Sequence, residues 1–96
     1  MRGEGRAYSG GVLTPGTVEV QLYAAARAAA GAERLEVRAG SLGEVLEQLL
    51  VAAPGLASVL PRCSYLVDEI AARPSDLERA IPPGSRLDVL PPFAGG

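Results

Sequence analysis

Apolar and polar residues alternate through residues 17–23, which read Thr-Val-Glu-Val-Gln-Leu-Tyr. This alternation is typical of a strand with one buried face, and it places Val18, Val20 and Leu22 on that face. Tyr23 ends the pattern on the opposite side. The alanine-rich run Ala24–Ala30 favours a short helix, which Gly31 ends. Residues 35–38 alternate again and predict a second strand, paired with the first in a hairpin-like unit.

The main helix is predicted by a capping pattern followed by an apolar stripe. Ser41 and Glu44 stand three positions apart, the spacing of a capping box. The apolar positions behind them follow the i, i+3, i+4, i+7, i+8 spacing of one helix face: Leu42, Val45, Leu46, Leu49 and Leu50. Pro54-Gly55 ends the helix, and residues 56–60 can add one further turn.

The second half of the chain predicts more strands. Residues 65–67 predict a third strand whose inward face the pattern does not identify, with a turn at 68–69 and a return through 70–72. Ser75-Asp76 is a candidate cap for a single helical turn carrying Leu77 and Ile81.

The last strand enters from a turn. Pro82-Pro83-Gly84-Ser85 fits a type II turn, with glycine where a positive φ is needed. Residues 86–90 then predict the last strand, which runs directly into the C-terminal residues.

These elements predict an α+β fold. One amphipathic helix needs a sheet face against which to bury its stripe. The economical arrangement is a β-grasp, or ubiquitin-like, fold: a mixed sheet curled around one main helix, with the last strand central and parallel to the first. We therefore expect a flexible, glycine-rich extension over residues 1–16, a β-grasp domain over 17–91 and an extended tail over 92–96.

Composition removes several classes of function. A net charge of -2 argues against a nucleic-acid partner, and no segment resembles a signal peptide or a membrane span. The 96 residues include no His and no Lys, and Cys63 is the single cysteine. An internal disulfide, a multi-cysteine metal site and a His-activated nucleophile are therefore excluded, so we expect no metal site and interpret Cys63 as a packed structural thiol. A cytoplasmic location is expected.

The chain ends on Pro91-Pro92-Phe93-Ala94-Gly95-Gly96. Because glycine has no side chain, this end forms a thin thread that can enter a narrow channel and present the Gly96 carboxylate to a partner's active site. A chance Gly-Gly at a frayed terminus is the alternative.

These residues carry a family resemblance. The ending from Leu87 to Gly96, together with residues 20–27 and Ala30-Gly31, resembles the ubiquitin-like sulfur carriers, most of all the small subunits of molybdopterin synthase. The resemblance covers about residues 17–96. The thiamine-pathway carriers also end in Gly-Gly but generally lack the Pro-Pro. One departure is Pro83-Gly84-Ser85, where the family often has Asp-Gly-Asp.

The resemblance implies the chemistry of the tail. An E1-like adenylating enzyme would use ATP and magnesium to activate Gly96, and a persulfide sulfur donor would convert the adenylate to a thiocarboxylate. A large synthase subunit would then accept the tail (Pro92, Phe93, Ala94 and Gly95) and pass the sulfur to a pterin precursor of the molybdenum cofactor. The chain itself would bind no permanent cofactor and would be a protein co-substrate, not an enzyme.

A partner-binding surface is expected at the root of the tail. By alternation, Tyr23 and Leu90 lie on the sheet face opposite the helix, next to Pro91, and an exposed apolar patch there marks an interaction site. The alternative is that they pad a second small core. Two other functions stay open: a sulfur carrier for thiamine, cysteine or another thionated metabolite, and a ubiquitin-like binding module without carrier activity.

Overall fold

The structure of the chain, a computed structural model, describes residues 14–91. Its seven strands are β1 (Thr17–Leu22), β2 (Arg34–Arg38), β3 (Gly40–Ser41), β4 (Ser64–Val67), β5 (Ile70–Ala72), β6 (Ala80–Ile81) and β7 (Arg86–Leu90). The helices are α1 (Ala24–Ala30) and α2 (Leu42–Ala52), followed by short 3₁₀ helices at Pro54–Ser58 and Leu60–Arg62. Among the described residues no helix is long and apolar enough to cross a membrane.

The main sheet has five strands in the order β2-β1-β7-β4-β5. Strand β7 is its centre: it runs parallel to β1 and antiparallel to β4. Strands β1 and β2 form the antiparallel pair that their alternation predicts. The predicted mixed sheet with a central last strand is confirmed, and with it the β-grasp fold.

Helix α2 buries its stripe against the inner face of this sheet. Leu42, Val45 and Leu49 are fully buried, while Leu46 and Leu50 pack at the margin of the core. The capping box is present: the Glu44 amide donates to Ser41 Oγ (3.1 Å), and the Ser41 amide donates to Glu44 Oε1 (2.9 Å). Two amides of the first turn therefore have partners, and the helix begins where the sequence predicts.

The predicted helical turn after Ser75 is wrong. The Asp76 carboxylate accepts from the Arg73 amide (3.2 Å), so it closes a tight turn instead of capping a helix. The carbonyls of Leu77 and Arg79 accept from the first amides of α2 (both 2.8 Å). Ile81 is buried in β6, which pairs with β3. This segment thus caps α2 from outside, a long-range contact that no local pattern shows.

Two turns set the geometry around β7. Gly84 has φ +87° and the Ser85 amide donates to the Pro82 carbonyl (3.1 Å), which confirms the type II turn. In the turn between β4 and β5, Asp68 exchanges two hydrogen bonds with the backbone of Arg86: its amide donates to the Arg86 carbonyl (2.8 Å) and its Oδ1 accepts from the Arg86 amide (2.9 Å).

The first described residues join the sheet. The Gly16 carbonyl accepts from the Ala39 amide (3.0 Å), and the Thr14 amide donates to Glu36 Oε2 (2.9 Å). Residues 14–16, assigned above to the extension, are therefore hydrogen-bonded to β2 and the residue after it. Residues 1–13 lie outside the described residues, so the flexible extension stays a prediction for them.

Candidate functional site

Strand β7 is the central strand of the sheet, and its end at Leu90 and Pro91 is the root of the tail, the point from which residues 92–96 continue. Leu90 lies opposite Ser64 of β4, and the Val89 carbonyl accepts from the Tyr23 amide (3.2 Å). Leu90 and Pro91 are both half-buried. Residues Pro92, Phe93, Ala94, Gly95 and Gly96 lie outside the described residues, so their predicted roles stay predictions. The described part of the site is the platform from which this thread starts.

Tyr23 is held at the junction of β1 and α1. Its backbone is extended (φ −121°, ψ 146°), so the alternation of β1 continues and its side chain lies opposite Leu22. Its carbonyl accepts from the Ala26 amide (3.0 Å), which starts the helix. Tyr23 is half-buried, not fully solvent-facing as expected from parity.

Leu66 joins this surface, and the sequence did not identify it. Tyr65 and Val67 are buried, so Leu66 between them lies on the outer face, where it pairs across the sheet with Asp88. Three consecutive apolar residues gave no alternation from which to choose. Tyr23, Leu66, Leu90 and Pro91, all half-buried, form what we call the outer patch. They retain exposed apolar area at the root of the tail.

Arg86 and Asp88 form an ion pair on the same face. The guanidinium donates from Nε to Asp88 Oδ1 (2.9 Å) and from Nη2 to Oδ2 (3.2 Å). The Asp88 side chain is only 6% exposed and that of Arg86 is 45% exposed, so the arginine covers the carboxylate. The hydrogen bond to Asp88 raises the pKa of Arg86 above its ordinary value. Alternation along β7 places Asp88 on the outer face of the sheet, yet its side chain is buried, because the Arg86 side chain folds over it.

Residues 20–27 and Ala30-Gly31, which also carry the family resemblance, include two residues with structural roles. Arg27 Nη1 contacts Glu33 Oε2 (3.0 Å) and links α1 to the start of β2. Gly31 has φ +73° and its amide donates to the Arg27 carbonyl (2.9 Å), so it ends α1 in a conformation that favours glycine. This turn sets the path of the chain from α1 to β2.

Cys63 lies next to the root of the tail, one residue before the one that pairs with Leu90, but it is buried. Its Sγ donates to the Val59 carbonyl (3.3 Å). Burial raises the pKa of the thiol, an effect that Arg62 partly opposes. A thiol held protonated is a poor nucleophile. The predicted packing of Cys63 is confirmed, and its purely structural role stays a prediction. Within residues 14–91 no cluster of three or more His, Cys, Asp or Glu side chains suits a metal ion.

Known proteins match both the sequence and the fold. The molybdopterin synthase sulfur carrier subunit of Chlamydomonas reinhardtii is 29% identical over 82 residues, which cover 82% of this chain and 98% of the relative. SAMP1, the small archaeal modifier protein 1 of Haloferax volcanii, is 27% identical, with a TM-score of 0.73 over 84% of this chain and all of the other.

A complex provides a third comparison. In the complex of subunits 1 and 2 of the molybdopterin-converting factor from Helicobacter pylori, one chain shares the fold with a TM-score of 0.62 at 24% identity, over 83% of this chain and 99% of the other. The model of the ThiS family matches residues 20–96, from the middle of β1 to the final glycine. The chain belongs to the ThiS family.

Proposed function

We propose that this chain is the small, sulfur-carrying subunit of a molybdopterin synthase, and that it carries sulfur as a thiocarboxylate on Gly96. The observation that carries the proposal is the family match, which runs through the tail to Gly96. The curated relative, named as a molybdopterin synthase sulfur carrier subunit, supports the choice of pathway. The described part of the site agrees with it, because β7, the strand that leads to the tail, is the central strand of the five-stranded sheet.

The proposed chemistry uses the terminal carboxylate and the side chains of other proteins. A carboxylate oxygen of Gly96 attacks the α-phosphorus of ATP, bound with magnesium by an E1-like adenylating enzyme, and pyrophosphate leaves. The terminal sulfur of a persulfide donor then attacks the acyl carbon and AMP leaves, which gives an acyl disulfide joined to the donor. A thiolate of a partner protein attacks the donor's sulfur, a new disulfide forms there, and the S–S bond breaks to release the thiocarboxylate on Gly96. Cys63 is buried with a raised pKa, so it does not compete for the activated acyl group. The chain acts as a protein co-substrate.

The outer patch is the proposed docking surface for the large subunit. The Helicobacter pylori relative was solved as a complex of two subunits, which supports a partner of this kind. Tyr23, Leu90 and Pro91 adjoin the thread, so a partner that holds the tail also covers them. The adenylating enzyme must hold the same tail, and we propose that it uses the same patch.

Intact mass spectrometry tests the carrier step. The chain is incubated with ATP, magnesium, a cognate adenylating enzyme and a sulfide or persulfide source. We expect a mass gain that corresponds to the exchange of one oxygen for sulfur, and no gain in a chain that lacks Gly96 or carries one extra residue after it. Thiocarboxylate formation on the extended chain without prior trimming would contradict the proposal.

Binding to a purified large subunit tests the docking surface. Tyr23→Arg and Leu90→Glu each place a charge that docking would strip of water, so we expect roughly tenfold or more weaker binding. Leu77→Glu is the matched control, because Leu77 is an exposed leucine on a loop outside the outer patch. Unchanged affinity in both patch variants would place the interface elsewhere.

Two other functions share the same tail. A carrier for another pathway would form the same thiocarboxylate, so the test is whether sulfur is transferred to a pterin precursor in the presence of the large subunit. The likeness to SAMP1, named a modifier protein, favours a second candidate: transfer of the activated carboxyl to an amine of another protein. Because the sequence contains no Lys, a conjugate formed through a lysine side chain would contain a second, different protein, and its mass would show this.

A further inference from the structure

A groove of about 1100 Å³ lies on the side of the domain formed by the edge strand β2 and helix α2. Its apolar lining comes from Leu35, Val37, Val51 and Ala52, and its charged lining from Arg34, Glu36, Arg38, Glu44 and Glu47. At one end Gln48 joins helix to strand: its side-chain amide exchanges two hydrogen bonds of 2.8 Å with the backbone of Arg38. The groove belongs to neither the outer patch nor the root of the tail.

Val51 exposes a large apolar side chain at this groove. It is 83% exposed, more than any other large apolar residue among the described ones. It lies on α2 at the groove, beside Ala52. Burial of such a side chain is favourable, so a polypeptide segment with apolar residues would gain from lying there.

The first residue that the structure describes, Thr14, lies at this groove. It is fixed there, because its amide donates to Glu36 Oε2 (2.9 Å) and its carbonyl accepts from the Thr17 amide (3.2 Å). Val12 and Leu13 come immediately before Thr14 in the sequence. Since consecutive Cα atoms are about 3.8 Å apart, these two apolar residues cannot lie far from the groove wall.

We propose that residues 1–13 dock in this groove, with Val12 and Leu13 on the apolar surface around Val51. The length suffices: five residues of β2 span about 17 Å, and thirteen residues reach more than twice as far. The charges are complementary. Arg2, Glu4 and Arg6 leave the segment net positive, and the two arginines and three glutamates of the lining leave the groove net negative. The family match begins at residue 20, so this docking is independent of the sulfur-carrier proposal.

A docked segment would cover the edge of the sheet. An open edge strand is a template for pairing with other chains, and proteins commonly shield such edges. Gln48 closes this edge at Arg38, and the segment would extend the cover along β2. The opposite edge is already shielded in part, because Arg79 Nη1 donates to the Ala71 carbonyl of β5 (3.1 Å).

A double-mutant cycle tests the contact. A double variant with Val12→Ser and Leu13→Ser, called the serine pair, removes the apolar groups of the segment and leaves the hydrogen bond of the Thr14 amide in place. Val51→Asp puts a charge on the apolar surface of the groove. Each change alone should lower the Tm by roughly 5 °C, within the range expected for one apolar contact in a domain of this size. Combined, they should lower it little further, because both remove the same contact. Additive shifts would overturn the proposal.

Ile70→Asp is the matched control. Ile70 is an exposed apolar residue (62%) at the opposite edge, so its effect on the Tm should be the same with or without the serine pair. Amide resonances give a second readout: the serine pair should shift those of residues 47–52 in α2, which form the helix side of the groove. No shift in α2 would contradict docking. A dimer of the parent chain that Val51→Asp dissociates would show that a second copy, and not residues 1–13, occupies the groove.

Discussion

Alkaline pH should destabilise the domain through one buried hydroxyl. Tyr65 lies on the inner face of β4, is 2% exposed, and donates a hydrogen bond of 2.8 Å to the Leu60 carbonyl. Burial, and secondarily the nearby Cys63, raises the pKa of Tyr65 from 10.0 to about 12. The phenol therefore keeps its proton in the folded domain at pH values where the unfolded chain has lost it.

The magnitude follows from the shift. Below pH 10 both states are protonated and the contribution of Tyr65 to stability is complete. As the pH rises from 10 to 12, only the unfolded state releases the proton, so the free energy of unfolding falls by about 1.4 kcal/mol per pH unit, about 2.7 kcal/mol in all. That is a large share of the roughly 5–15 kcal/mol that stabilises a typical domain.

Urea unfolding between pH 8 and pH 11.5 measures this loss, with Tyr65→Phe as the comparison. At pH 8 the variant should be less stable by about 1 kcal/mol, because the Leu60 carbonyl loses its donor. Above pH 10 its curve should be flatter, so the two curves converge and cross. Both chains should carry Cys63→Ala, because burial also raises the pKa of the Cys63 thiol and adds a loss of the same sign. Parallel curves would refute the reasoning.

Three further changes test the packing. Leu49→Ala should cost about 2–5 kcal/mol in urea unfolding and Leu46→Ala less, since only Leu49 is fully buried; equal costs would contradict the orientation of α2. Gly55→Ala should lower the Tm, because the added Cβ would lie 2.5 Å from the Ala29 carbonyl oxygen. An unchanged Tm would contradict the close contact between α1 and the 3₁₀ helix at Pro54–Ser58. Glu69→Gly should stabilise the domain by about 0.5–1 kcal/mol, since Glu69 has φ +71° in a tight turn; a lower Tm would refute this.

Local patterns predicted the elements whose signals lie within a few residues. Strand β1 and helix α2 follow their periodicities, and the bonds of the Ser41 and Glu44 capping box are both formed. The central position of β7 followed from the need to bury one helix face against a mixed sheet, and it is confirmed. In these cases the residues that determine the structure are close in sequence or are constrained by the few available topologies.

The differences arise where a distant or unexpected partner decides the conformation. Ile81 lies in a strand because β3, about forty residues earlier, pairs with it. Asp88 is buried because Arg86 folds over it, which alternation cannot show. Leu66 could not be oriented until its neighbours were seen to be buried. For the candidate site, the sequence indicated the root of the tail, but the ion pair and Leu66 beside it required the structure.

The position of β7 has a mechanical consequence. A partner that grips the tail pulls along a strand that is hydrogen-bonded on both sides, to β1 and β4. Such a pull loads two ladders in shear, so many hydrogen bonds must break together before the strand moves. An edge strand would peel away one bond at a time. Central strands also belong to the last part of a domain to open. Under the proposed function, a partner would therefore be able to draw the tail into a channel and release it again without opening the domain.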